Sequence, residues 1–170
     1  MCAQSSCKQE ILDLLTHHQI PFSYHEHERA FTIQQCLDMP FIDQSITICK
    51  NILLCNRQQT AYYLMLLRPT TAFKTAVVSK ALGVSRLSFA PSDALPALLH
   101  LTSGSLSPLG LYYDSDHAIT LCYERSIKES PAIAFHPCDN SSTVIFSQDV
   151  FWQQVLPMLG VHPIELEPLP

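Results

Sequence analysis

Residues 46–55 read ITICKNILLC, a strand-like run with a lysine where an aliphatic residue would be expected. Side chains of a strand alternate faces with period two. One face therefore carries Ile46, Ile48, Lys50, Ile52 and Leu54, with the ammonium at its centre. Lysine is almost never fully buried unless it is paired, and an isolated buried ammonium is costly. No acidic residue lies within five positions on either side, so a local ion pair is unavailable. Two accounts remain open. The side chain snorkels, or a bulge swings it to solvent. Alternatively the sheet borders a cavity in which Lys50 meets an anion or a polarised carbonyl. Asn51 follows directly and either acts beside Lys50 or fixes the strand.

The chain has only four glycines, and two of them fall in Gly104-Ser105-Leu106-Ser107-Pro108-Leu109-Gly110. Glycine permits positive φ and close approach of a ligand to backbone N–H groups. The loop is either an ordinary helix-to-strand turn or an anion nest. It matches neither a phosphate-binding loop nor a nucleophile elbow. His136 lies between Phe135 and Pro137 at a strand end, where it is either structural or borders a cleft. His25-Glu26-His27 has two imidazoles but no third ligand, and reads as an exposed edge. The seven cysteines include no C-x-x-C pair, which disfavours zinc and a disulfide framework. They are expected to be reduced core residues. Cys49 and Cys55 fall on the strand face opposite Lys50, which disfavours a cysteine nucleophile.

The net charge is −5, but it is unevenly spread. Residues 44–92 contain no Asp or Glu and carry +6, leaving −11 for the remainder. A contiguous cationic third can attract phosphates whatever the overall sign. Arg57, Lys74, Lys80 and Arg86 are the candidate contacts. No apolar run approaches the roughly 18–20 residues of a membrane span. No apolar signal region follows Lys8, so a cytoplasmic location is expected.

These groups need a scaffold. The 170 residues suggest one domain, 1–170, with a core of about 10–159 and an extended trailer at 163–170. Ser5 or Ser6 can cap a first helix that ends near His17-His18, before Pro21. Thr32 can cap a short helix over 33–39. Strands are expected at 22–27, 46–55, 61–68, 87–90, 132–136 and 143–146. The linker 56–59 suits a hairpin, and 111–113 with 118–123 suggests a second one around 114–117. Helices are expected over 75–82, stopped by Gly83, from Pro91 to about Leu101, and after a Ser147 cap. The fold class is α+β (mixed α/β): a mixed, largely antiparallel sheet with surrounding helices.

The order and spacing of these segments resemble a known family. Cys49-Lys50-Asn51-Ile52-Leu53-Leu54 resembles the K-N-hydrophobic strand of YbaK-like and prolyl-tRNA editing proteins. Gly104 to Pro108 looks like their G-x-x-x-P loop, and Ala134-Phe135-His136-Pro137 is similar to the G-F-H-P segment of alanyl-tRNA(Pro) deacylases. Ser85 to Ala90, Leu109-Gly110-Leu111 and Asp116-His117 also sit where that family has them. The resemblance runs from about Glu10 to Leu159.

It implies hydrolysis of the ester between an amino acid and the terminal ribose of tRNA, without metal, cofactor or covalent intermediate. Lys50 corresponds to the family's essential lysine. The loop residues Gly104, Ser105, Leu106, Ser107 and Pro108 would line the aminoacyl pocket with backbone amides, and His136 would border it. The expected partner is tRNA through its acceptor end, with prolyl-tRNA synthetase a candidate second partner; neither DNA nor a membrane is expected. The chain departs from the family at Ala134, where the family has glycine. This bears on the choice of amino acid, of which alanine comes first and serine or cysteine next. The rival readings are a non-catalytic tRNA- or nucleotide-binding module and a hydrolase of another activated ester.

Overall fold

The apolar stripe of residues 46–55 is divided between two sheets. A computed structural model describes residues 4–102 and 104–169. Its strands are β1 (Ser23–Glu26), β2 (Ile46–Ile48), β3 (Lys50–Cys55), β4 (Tyr62–Leu67), β5 (Ser88–Phe89), β6 (Ile119–Glu124), β7 (Ala132–Phe135), β8 (Ser142–Ser147) and β9 (Ile164–Leu166). The first sheet has the order β1-β8-β7-β2 and the second β5-β3-β4-β6-β9. Antiparallel pairs join β1 to β8, β7 to β8, β3 to β4 and β3 to β5. Parallel pairs join β2 to β7, β4 to β6 and β6 to β9. The α+β class stands, with two mixed sheets in place of one.

The chain changes sheets at Cys49. Ile48 pairs with Ala134 of β7, whereas Lys50 pairs with Leu67 of β4. Period-two alternation reads which side chains share a face, but not which strand each residue will meet. Ile46 and Ile48 consequently pack with Ala30, Cys36 and Ala134, while Ile52 and Leu54 pack with Met65, Leu67 and Val78. Lys50 sits at the seam between two apolar clusters, not in the middle of one.

Each sheet turns one face to a shared core. β4 sends Leu64 and Leu66 there, and Met65 and Leu67 to the opposite side. β7 and β8 contribute Ile133, Phe135, Val144 and Phe146. Helix α1 (Gln4–His17) buries Cys7, Ile11 and Leu15, a spacing of four that keeps them on one helical stripe. Ser5 and Ser6 lie within α1, so neither is its cap. Helix α2 (Ile33–Leu37) covers the outer face of the first sheet through Cys36. Its start is set by a capping box: Gln35 N–H donates to Thr32 Oγ1, and Thr32 N–H to Gln35 Oε1. Helix α3 (Thr75–Leu82) packs Val78 on the outer face of the second sheet and ends at Gly83, whose φ is +67°. Helix α4 (Ala94–Leu99) is shorter than read from the sequence. The last helical segment runs as α turns at Gln148–Val150 and Leu156–Met158 around a π turn at Phe151–Val155. Ser147 caps it, accepting from the Val150 N–H.

Two expectations fail for local reasons. The second hairpin does not form, because Pro108–Tyr113 is a 3₁₀ helix and β6 pairs parallel to β4. Ser107 caps that helix, Pro108 supplies its preset φ, and Asp114 accepts both the Ala118 and Ile119 N–H groups. Segment 163–170 is not a bare trailer either. Ile164–Leu166 adds a fifth strand to the second sheet, and Glu165 accepts from the Tyr123 hydroxyl and Arg125.

Candidate functional site

A cleft of about 450 Å³ opens where the chain passes from one sheet to the other. Its walls come from the start of α2, the β2–β3 junction, the segment after β5, the glycine loop and the end of β7. Lys50, Asn51, Gly104, Leu106 and His136 all line it, although up to 86 residues separate them in sequence.

Lys50 is half-buried, and its ammonium donates to the Thr71 carbonyl at 2.8 Å. An ammonium has three donors. The next residue turns to the other side of the strand, where Asn51 Nδ2 donates to the Leu106 carbonyl at 2.9 Å. That bond ties β3 to the glycine loop. Asn51 Oδ1 is buried, and among the described residues it has no hydrogen-bond partner.

Only part of the glycine loop faces the cleft. Gly104 has φ +88°, and a Cβ there would stand 3.3 Å from Asn140 Nδ2 and 3.7 Å from the Phe31 ring. Left-handed backbone beside two close neighbours explains the glycine. Ser105, Ser107 and Pro108 are buried and do not line the cleft. Ser105 Oγ donates to the Thr102 carbonyl, and Ser107 Oγ accepts from the Leu109 N–H. The Ser105 and Gly110 amides also bond within the loop, at 3.1 and 3.0 Å. Within Gly104–Pro108, the Ser105 amide is thus spent on building the loop. Its cleft-facing parts are Gly104 and Leu106.

His136 closes the opposite wall. Its Nδ1 lies 2.7 Å from the Ser142 carbonyl, which can only accept, so Nδ1 carries the proton. Burial pushes its pKa below the ordinary value, and the bond to Ser142 offsets this only in part. The ring is therefore neutral at pH 7. Its Nε2 is left as an acceptor, 3.7 Å from the Cys36 sulfur. Burial raises the Cys36 thiol, which makes it a donor and not a thiolate. Burial, and then the charge of Glu124, push the Cys49 thiol well above its usual range. Cys55 is 2% exposed. Neither fits a nucleophile's environment. All six cysteines among the described residues are buried thiols outside any disulfide; Cys2 lies outside those residues. No described group of three His, Cys, Asp or Glu side chains could hold a metal ion.

Two features of the cleft have no sequence signal. Phe31 and Phe89 stand at its rim, 68% and 62% exposed. Phe73 packs against Phe89 with ring centroids 5.4 Å apart. The basic candidates Arg57, Lys74, Lys80 and Arg86 are all exposed. Lys74 follows Phe73, and Arg57 lies in the turn between β3 and β4. Arg68 is engaged elsewhere, with the Ser126 carbonyl and Glu129.

Comparison with known proteins decides the family. The sequence model of the aminoacyl-tRNA editing domain matches residues 27–151, about three-quarters of the chain. The chain belongs to the aminoacyl-tRNA editing domain family. It is an aminoacyl-tRNA deacylase, acting on mischarged tRNA. The editing domain here is 28% identical to the prolyl-tRNA editing protein ProX of Acetoanaerobium sticklandii, over 84% of this chain and 86% of that protein. It is 25% identical to prolyl-tRNA synthetase associated domain-containing protein 1 of Danio rerio, over 81% and 74% respectively. A crystal structure described as a trans-editing enzyme for prolyl-tRNA synthetase superposes with a TM-score of 0.70 at 12% identity, covering 94% of this chain and 96% of that one. That likeness concerns the fold. Within it, one cleft collects a cation, a neutral imidazole and part of a glycine loop.

Proposed function

We propose that this deacylase removes alanine from mischarged tRNA(Pro), acting in trans, with Lys50 as its principal catalytic residue. The observation that carries this reading is the convergence of Lys50, Gly104, Leu106 and His136 on one cleft. A synthetase pocket shaped for proline rejects a smaller amino acid weakly, since one methylene is worth only ~1–3 kcal/mol. A second sieve too small for proline corrects the error. Ala134 supports such a sieve. It is 2% exposed and lines the cleft, where its methyl takes up space that a glycine would leave open.

The reaction adds water to the ester carbonyl and breaks the bond to the ribose oxygen, which takes up a proton. The ester is already activated, so positioning and oxyanion stabilisation suffice. Lys50 donates to the carbonyl oxygen as negative charge develops there. The Nε2 of His136, approached so far only by the weakly donating Cys36 thiol, accepts from the attacking water or from the neighbouring ribose hydroxyl. Asn51 holds the glycine loop against β3 through its bond to the Leu106 carbonyl. Phe31 and Phe89 stack on the terminal base. Arg57, Lys74, Lys80 and Arg86 steer the acceptor stem. Prolyl-tRNA synthetase is the proposed source of the substrate and the cytoplasm its setting.

A deacylation panel tests this reading. With tRNA(Pro) charged in turn with alanine, serine, cysteine or proline, alanine should be released fastest and proline left intact. Rapid release of proline would overturn the sieve, and release of none would favour the binding-module reading.

A further inference from the structure

A built feature on the neighbouring strands holds the Lys50 ammonium. That ammonium donates to the carbonyl of Thr71, which is 9% exposed and closes a turn with Arg68, its N–H donating to the Arg68 carbonyl at 3.1 Å. That turn follows β4 directly. Glu124 lies beneath it at the end of β6, a carboxylate only 3% exposed. Glu124 Oε2 accepts from the Thr71 hydroxyl at 2.7 Å and from the Arg68 N–H at 3.2 Å. One buried oxygen thus pins both ends of the turn whose last carbonyl holds the ammonium. The arrangement joins three strands: Glu124 from β6, the turn from β4, and Lys50 from β3.

The chemistry of the carboxylate is the telling part. A buried ionised group is costly unless it is well bonded. The Arg68 guanidinium is spent on the Ser126 carbonyl and Glu129, so the cationic side chain that opens the turn makes its bonds away from Glu124. Its direct partners in the turn are a hydroxyl and an amide, both neutral. Its influence reaches the β2–β3 junction, where, after burial, it is the next cause that raises the Cys49 thiol. A fold that needed only to close this turn could do so with a neutral acceptor.

We infer that Thr71 and Glu124 are positioning residues for deacylation, holding the Lys50 ammonium at the height and angle at which its remaining donors meet the ester carbonyl. The inference rests on Lys50 being the catalytic residue proposed above. A shift of about 1 Å in a positioned group can lower turnover by about 10²-fold.

The test compares Thr71→Val, Thr71→Ser, Glu124→Gln and Lys50→Ala in steady-state deacylation of alanyl-tRNA(Pro). Thr71→Val keeps the shape and removes the hydroxyl. It should lower kcat by roughly 10- to 100-fold while KM for the tRNA stays within about twofold. Thr71→Ser restores the hydroxyl and should recover most of the turnover, which a loss of packing alone would not explain. Glu124→Gln should reproduce the fall in kcat, and it carries the test if Thr71→Val does not fold. Wild-type kcat in folded Thr71→Val or Glu124→Gln, with Lys50→Ala inactive, would overturn the positioning role and leave the proposed site intact. Turnover retained in Lys50→Ala would instead sink the catalytic assignment on which the inference rests.

Discussion

Replacing Lys50 with alanine should abolish measurable deacylation and leave the fold in place. The expected loss is about 10²–10³-fold or more in kcat, the magnitude found when a preorganised oxyanion donor is removed. The interaction is stronger in the transition state than in the ground state, so kcat should fall and KM change little. The stability cost is small by comparison. Lys50 is half-buried at the first position of β3, and its backbone pairing with Leu67 does not depend on the side chain. Losing the bond to Thr71 leaves a carbonyl without that donor, worth about 1 kcal/mol. Single-turnover release of the amino acid, set beside a thermal melt of the same preparation, separates the two effects. A melt within a few degrees of the wild type and no turnover is the expected pair. Full turnover would show that the cation serves the fold and not the reaction.

The largest effect on stability is expected at Phe151. This ring is fully buried in the π turn of the last helical segment. It meets Phe135 at 4.8 Å, Trp152 at 5.0 Å and Phe146 at 6.1 Å between centroids. Phe151→Ala should cost about 3–5 kcal/mol, the range for deleting a large buried aromatic. Native stability is commonly only 5–15 kcal/mol in total. The denaturant midpoint should therefore move far, and Phe151→Leu should recover much of the loss. Activity should follow stability at this position, because Phe135 is adjacent to His136 and both line the cleft. A loss below about 1 kcal/mol would mean that the last helix is not what braces the end of β7.

Local signals in the chain were readable, and long-range ones were not. Thr32 announced α2 because a cap acts within one helical turn, and the structure completes it as a capping box with Gln35. Gly83 announced the end of α3, and Ser147 the start of the last helix, for similar reasons. Lys50 stood out because a cation in an aliphatic alternation violates burial preference, and it does border a cleft. The break at Cys49 was hidden, since both halves of the stripe alternate alike and only the partner strands differ. The helical turn at 108–113 defeated the hairpin reading because Leu111-Tyr112-Tyr113 looks like a strand until Gly110 is seen against Leu101, where a Cβ would come within 2.7 Å. Ser105 and Ser107 have hydroxyls suited to a ligand, yet tertiary placement turns them inward. Thr71 and Glu124 carry no motif, since their significance lies in contacts to residues 21 and 53 positions away.

The central claim is that the cleft at the seam of the two sheets receives the 3′ end of a charged tRNA with its carbonyl on Lys50. It is tested most directly by a crystal structure with a non-hydrolysable amide analogue of 3′-alanyl-adenosine. The analogue's carbonyl oxygen should lie within hydrogen-bonding reach of the Lys50 ammonium, about 2.6–3.2 Å, with the methyl towards Ala134 and the base against Phe31 and Phe89. An analogue bound outside this cleft, with no contact to Lys50 or His136, would contradict it.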